Sequence, residues 1–426
     1  MFYIIENNEQ LNEFFEIGYD KVFIEPIYFN DFVHPLLNDI SLLYIKPLNG
    51  DKGYILSINH NEALLLDFTV ISDLLASYSE IYVRNRKSFI NLFPLKNLID
   101  ISFNTVEYSE ATTPAHDFFY RTHNVEDINT IIPLVKHYER CENIYHKIKE
   151  YCVKPENNKF NSQITSIFNY IESNGIKIDK KTLDKHFELN NEFLSIKNDI
   201  IYTQYNLYTT TGRPSNSFNT INFAALSKDN GCRNAFIPKN DYFIEIDISA
   251  YHPTLAAQLI GYDFGKDTPY EYFAREANIE ISEAKILMFK QLYGGIYKEY
   301  QYIEYFQLIQ EHVNKIWKKY TVDGFIECPI SGHKFYKGIK DINPQKLFNY
   351  TLQNLETANN VCIMWDVIKL LKGKETQIVL YTYDSILLDY NEDDNILKDI
   401  QNQFNKHNLK IKLTKGKNYG VMLPLQ

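Results

Sequence analysis

Two aspartates sit where apolar neighbours make a carboxylate costly. Asp384 lies in "VLYTYDSILLDY" (residues 379–390), between the runs Val379–Leu380 and Ile386–Leu388 and flanked by Tyr383 and Ser385. Asp247 interrupts "YFIEIDISAY", where Phe243, Ile244, Ile246 and Ile248 are apolar. An ionised carboxylate in such surroundings needs a partner or a metal. On a strand, Glu245 and Asp247 share a face by the period of two. Taken singly, each aspartate also reads as an ordinary strand or hairpin-turn residue. Taken together, two carboxylates on separate strands can converge on a pair of divalent ions. Such sites use hard oxygen ligands around ions about 4 Å apart, which activate one oxygen and stabilise the leaving one.

A second group has helical spacing. Lys285, Phe289 and Tyr293, followed by Gly294, recur every four residues and so occupy one helix face. A cation followed by two rings can meet a nucleotide from phosphate to base. An amphipathic helix with two core aromatics and a glycine stop would give the same pattern. Thr211-Gly212-Arg213, with Asn219 and Asn222 beyond it, is a polar loop carrying one cation, and turn chemistry alone accounts for such residues. Asn349 and Gln353 share a face of a later helix. Their amides suit base edges in a minor groove, and equally suit a solvated helix.

The elements that must position these residues follow from composition and pattern. The chain has 426 residues, enough for two or three domains. Its 45% hydrophobic and 23% charged content is that of a globular protein. A net charge of −10 leaves no global basic footprint, so nucleic-acid contact would depend on local clusters. Cys141, Cys152, Cys232, Cys328 and Cys362 show no C-x-x-C pairing and are expected to be reduced, as in a cytoplasmic protein. There is no apolar run of membrane-spanning length and no signal-peptide pattern at the N-terminus.

Residues 1–110 alternate β-rich runs with helical stretches, an α/β pattern. A polar stretch at 153–162 suggests a domain boundary. Beyond it the pattern predicts a strand running into a helix at 241–260, a helix ending at the Gly294-Gly295 pair and a long helix over 344–372. A hairpin at 379–390 and a terminal strand pair complete it.

In order, T-G-R, a strand aspartate, K-x3-F-x3-Y-G, N-x3-Q and Y-D in a hairpin resemble the core of family A DNA polymerases. "RNAFIPKNDYFIEID", "IESNGIKID" and "LKIKLTKGKNYG" extend the resemblance over roughly residues 162–426. It implies that Asp247 and Asp384, with the Ile248 carbonyl, bind two Mg²⁺ ions for which Mn²⁺ can substitute. It makes Lys285 a catalytic group at the leaving phosphate. His252, Lys285, Phe289, Tyr293 and Gly294 become the nucleotide pocket, and Arg213, Asn219, Asn222, Asn349 and Gln353 become contacts to primer or template. The implied partners are primer-template DNA, dNTPs and a processivity factor, without a membrane. The implied location is the cytoplasm, that of a bacterial host if the gene belongs to a phage.

The implied architecture is multidomain, α/β followed by α+β. A degenerate 3′–5′ exonuclease-like domain (1–152) precedes a right-hand polymerase core (153–426). The palm is expected at 205–260 and 340–426, the fingers at about 261–339, and a reduced or absent thumb at 180–204.

The chain departs from the family at several points. Ile281 replaces an arginine before the lysine of the helix, which leaves Lys285 with Lys290 or Lys298 for the triphosphate. His252 replaces the glutamate that screens the 2′ side of the sugar, and Ser385 replaces a glutamate after Asp384. In the N-terminal region the exonuclease carboxylates are mostly missing. Glu25 stands without its partner, Asn85-to-Phe89 lacks its aspartate, and Asp127 is a substitute for the third. Proofreading is therefore not expected. His252 and Ser385 keep open an RNA polymerase or primase-like enzyme, and Ile281 with the shortened thumb keeps open an inert scaffold in a replication complex.

Overall fold

The computed structural model describes residues 3–31, 33–105, 128–153, 159–187, 195–216 and 221–425. Asn219 and Asp127 lie outside the described residues. Two compact units are present. The first comprises Met1–Ser173 and Glu188–Gln204, the second Asn174–Phe187 and Tyr205–Gln426. The boundary expected near 153–162 thus falls inside the first unit. The helix Lys159–Asn174 explains the difference. Its Glu172 pairs with Lys87, and its Asn169 donates to the Lys87 carbonyl at 3.0 Å, which ties the helix to the first unit.

The first unit is built on a six-stranded sheet, ordered Tyr3–Ile5, Tyr54–Ser57, Ile40–Pro47, Lys21–Tyr28, Glu80–Val83, Leu98–Asp100. Lys21–Tyr28 is antiparallel to Ile40–Pro47 and parallel to Glu80–Val83. Alternation along this strand separates two cores. Val22 and Ile24 pack with Leu11, Phe14, Ile71 and Leu75, on the helices Asn8–Glu16 and Phe68–Leu75. Phe23 and Ile27 face the other way, onto Leu134, Cys141, Tyr145 and Ile148 of the helix Leu134–Val153.

The second unit centres on a five-stranded antiparallel sheet, ordered Gln377–Thr382, Ser385–Tyr390, Tyr242–Ile248, Ile411–Asn418, Val421–Pro424. The expected hairpin and terminal strand pair are its two flanks. The strand Tyr242–Ile248 runs through a short turn into the helix Tyr251–Ile260. Three further helices follow: Pro269–Ala277, Ile281–Gly294 and Glu304–Asp323. A small hairpin, Phe325–Glu327 with Lys334–Tyr336, comes next. The helix Pro344–Leu370 packs against Tyr251–Ile260, Ile281–Gly294, Glu304–Asp323 and Leu397–Asn405. That is why it is buried on most sides, including at Asn354, Glu356, Thr357 and Asn360. Within 180–204 the described elements are the seven-residue helix Lys180–His186 and the two-residue strands Ile196–Lys197 and Ile200–Ile201. Among the described residues no helix is long and apolar enough to cross a membrane.

Candidate active site

Pairing brings the two aspartates together. Asp247 is directly opposite Ser385 on one neighbouring strand and Lys412 on the other. Asp384 precedes Ser385 in the two-residue turn closing the hairpin, and its carbonyl accepts from the Ile248 N–H at 2.9 Å. Both carboxylates therefore emerge at one end of the sheet, on adjacent strands. The turn is strained. Tyr383 has φ 64°, a left-handed value that two-residue hairpin loops ordinarily give to glycine or asparagine. Ala250, three residues beyond Asp247, has φ 49°. Such conformations persist only where surroundings hold them. Here Asn360 donates to the Tyr383 carbonyl at 2.7 Å, and the Arg213 guanidinium lies 3.7 Å from the Tyr383 ring centre.

Neither aspartate forms an ion pair among the described residues. Burial, then Asp384, then Glu245 push the Asp247 carboxyl up to about 6, with Lys412 and Lys228 opposing. Burial, then Glu356, hold Asp384 above the ordinary carboxylate range, against its own backbone N–H, Arg213 and His252. Asp247 is half-buried and Asp384 is exposed at the turn, and two oxygen donors lacking a cation of their own suit hard divalent metals. Among the described residues no group of three or more His, Cys, Asp or Glu side chains gathers at one point. The protein's share of such a site would be two carboxylates and a carbonyl, which is how magnesium is often held, with water and substrate phosphate completing the shell.

Glu356 joins the other candidates to this pair. It is the only charged residue between Lys346 and Asp366, and its side chain is 1% exposed. Arg213 Nη2 donates to its Oε1 at 3.1 Å, and His252 Nε2 lies 2.7 Å from its Oε2. His252 Nδ1 in turn lies 2.5 Å from the Tyr293 hydroxyl. Sequence reading passed over Glu356. The signal was a lone charge in a long helical stretch that otherwise carries none.

The Arg213 loop is held as tightly. Asn354 donates to the Thr211 carbonyl at 2.8 Å, and His333 Nε2 is 3.0 Å from the Thr210 carbonyl. Gly212 has φ 66°, and a Cβ there would meet Asn354 Nδ2 at 2.7 Å, so only glycine fits.

On the helix Ile281–Gly294, Phe289 and Tyr293 form a ring pair 5.7 Å apart. Tyr270 extends it, its ring 6.3 Å from Phe289. Burial and the two aspartates push the Tyr270 phenol up to about 12, which puts this unpredicted residue near the site. Lys285 is exposed two turns away and makes no ion pair among the described residues. Gly294 carries no special demand, for a Cβ there would meet open space. The demand falls on Gly295 at φ 101°, so the glycine requirement lies one position later than expected.

Asn349 spends its amide on the Tyr293 carbonyl at 3.1 Å, and Gln345 binds the Leu292 carbonyl. Asn349 thus caps the aromatic helix, and its Oδ1 is buried without a partner. Gln353 is half-buried one turn further on, and Asn222 is exposed. Ser385 bonds Thr382 at 2.6 Å and Glu245 at 3.4 Å.

No protein-family model matches the sequence, and no curated protein matches it. Among solved structures the chain is similar to the POL domain of Pol1 from M. smegmatis, in complex with DNA primer-template and dNTP. The TM-score is 0.69, with 99% of each chain covered and 12% sequence identity. The chain has the fold of a DNA polymerase domain. Within this polymerase fold, Asp247, Asp384, Arg213, His252, Phe289 and Tyr293 are drawn into one site. Lys285 is exposed on the same helix, two turns before Tyr293.

Proposed function

We propose that the protein is a template-dependent DNA polymerase that adds dNTPs to a primer 3′ end. The observation that carries this is the meeting of Asp247 and Asp384 on adjacent strands, uncompensated, within a polymerase fold. Asp247, Asp384 and the Ile248 carbonyl would hold two Mg²⁺ ions, Mn²⁺ substituting. Bound there, the ions supply the Lewis acidity that activates the primer hydroxyl and offsets charge on the leaving pyrophosphate.

The protein's own part is positioning and electrostatics. Phe289 and Tyr293 offer stacking faces to the incoming nucleotide, with the Tyr270 ring beside Phe289. Lys285, exposed and without a competing carboxylate, meets the triphosphate and donates to its leaving end. His252 lies at the sugar. Arg213 is held between Glu356 and the Tyr383 ring with its Nε buried and unpartnered, which supports a role inside the site, next to the primer terminus. Asn222, Gln353 and Asn219 are the candidates for primer and template contact.

The first unit is read as a degenerate exonuclease fold without proofreading. Its central strand, Lys21–Tyr28, is flanked by an antiparallel neighbour on one side and a parallel one on the other, and the one carboxylate of that strand, Glu25, is taken by Arg84. Asn85 caps the helix Arg86–Leu92 and Phe89 is core, so both have structural work. The short elements described within 180–204 support a reduced thumb. Fewer phosphate contacts would make DNA binding weak and salt-sensitive, a deficit that a processivity factor would cover.

Primer extension on a primed single strand tests the proposal, with dNTPs and rNTPs in parallel and Mg²⁺ present. Extension with dNTPs is expected, reduced by more than about 10³-fold in Asp384→Ala. Preferential use of rNTPs would move the enzyme to RNA or primer synthesis. Extension with neither would leave a polymerase-shaped scaffold.

A further inference from the structure

A carboxylate as buried as Glu356 is tolerated only when its charge is met. Its two oxygens meet two different groups. Oε1 takes Arg213, from the loop after Thr209, and Oε2 takes His252, from the first turn after the Asp247 strand. His252 passes the contact to Tyr293 on the aromatic helix. One carboxylate thus connects three segments that are far apart in sequence. Four residues on, and so on the same helix face, Asn360 accepts from the Tyr251 hydroxyl at 2.9 Å and donates to the Tyr383 carbonyl beside Asp384.

We infer that Glu356 is a positioning residue of this site, setting the His252–Tyr293 pair and the Arg213 loop against one another and so building the wall on which the sugar of the incoming nucleotide rests. This rests on the polymerase reading above. The hydrogen-bond order follows from the donors and acceptors present. A carboxylate oxygen accepts, so His252 Nε2 donates to Glu356, and His252 Nδ1 and the Tyr293 hydroxyl bond each other. Both ring nitrogens of His252 are thereby used. A 2′-hydroxyl placed here finds a buried ring in its way and no unfilled ring nitrogen, and leaving such a group unpaired is what makes discrimination strong. The substrate class is deoxynucleoside triphosphates. Selection against ribose belongs to the three residues jointly, with the acid supplied by the helix Pro344–Leu370 and not by the segment that carries Asp247.

The test compares kcat/KM for a dNTP and its matching rNTP in the full-length protein and in Glu356→Ala, Glu356→Gln and Tyr293→Phe. The rNTP-to-dNTP ratio is internal to each protein and does not depend on how much of it is folded. The ratio should rise by about tenfold or more in Glu356→Ala, the effect of one charge-assisted hydrogen bond. Glu356→Gln, which keeps one acceptor, should fall between. Tyr293→Phe should match Glu356→Ala, and the double variant should add little to either, because the residues act in series. A ratio within about twofold of wild type in Glu356→Ala would overturn the inference, since deletion of a coupled contact changes it by more. If that variant does not fold, an unchanged ratio in both Glu356→Gln and Tyr293→Phe has the same force. Wild-type protein extending with neither nucleotide overturns the polymerase reading itself, and the inference with it.

Discussion

Glu25 in the first unit and the Asp247–Asp384 pair in the second are all acidic residues of interior strands or the turn between them, and they have opposite fates. Glu25 lies on the central strand Lys21–Tyr28, and Arg84, just past the neighbouring strand, grips both its oxygens. Its charge is met and its geometry closed. Asp247 is half-buried and Asp384 exposed, yet no cation pairs with either among the described residues; the strongest charged influences are acids, Asp384 and then Glu245 on Asp247, and Glu356 on Asp384. Asp389, in the same hairpin, marks the intermediate case. It is fully buried, but the Lys239 and Asn240 N–H groups donate to it at 2.8 and 2.9 Å. A buried carboxylate that is satisfied contributes to the fold. A pair left unsatisfied costs stability until a cation arrives.

Breaking the closed pair should give the largest stability effect. Arg84→Met leaves Glu25 buried and alone, which is expected to lower unfolding stability by about 3–5 kcal/mol. The double variant Glu25→Gln/Arg84→Met should recover most of that loss. Extension per folded molecule should stay at the wild-type level. Chemical denaturation of the two variants checks the stability claim, and equal losses in both would count against it.

Supplying the missing cation sharpens the other side. At one hundred times its Kd, Mg²⁺ should add about 2.7 kcal/mol of stability. Calorimetric melting with and without the ion measures this, and the gain should disappear in Asp247→Asn and in Asp384→Asn. Arg84→Met should retain it.

The smallest effect is a pH dependence. Asp247 has its folded pKa raised from 3.8 to about 6. Below pH 3.8 both folded and unfolded states are protonated and the residue favours neither. Between 3.8 and 6 the folded state binds the proton more tightly, so stability falls as pH rises, and above 6 the penalty is complete. Partial exposure and screening reduce its size. Without metal, the wild-type protein should lose stability across this window relative to Asp247→Asn. Metal affinity should rise with pH through about 6, because binding needs the ionised carboxylate.

Much of the frame was legible without coordinates. The strand-to-helix passage at 242–260, the aromatic helix, the long helix and the terminal hairpins follow from period, glycine and turn chemistry, which are local. The candidates Asp247 and Asp384 were legible too, because an acid inside an apolar strand or at its turn is conspicuous in one dimension. The Lys87–Glu172 pair was not, since its partners lie 85 residues apart and nothing local marks them.

By itself, then, the sequence determined which residues carry acid, cation and ring, and which local elements hold them. Only the tertiary structure decided which of them meet. It gave Asp247 the neighbours Ser385 and Lys412, and it closed Glu25 with Arg84. It also set the Asn349 amide against the Tyr293 carbonyl and made Glu356 the junction of Arg213 and His252. The physical reason is range. Propensity and periodicity act over a few residues, whereas the worth of a buried charge depends on whatever packing brings within about 4 Å of it, from any point on the chain.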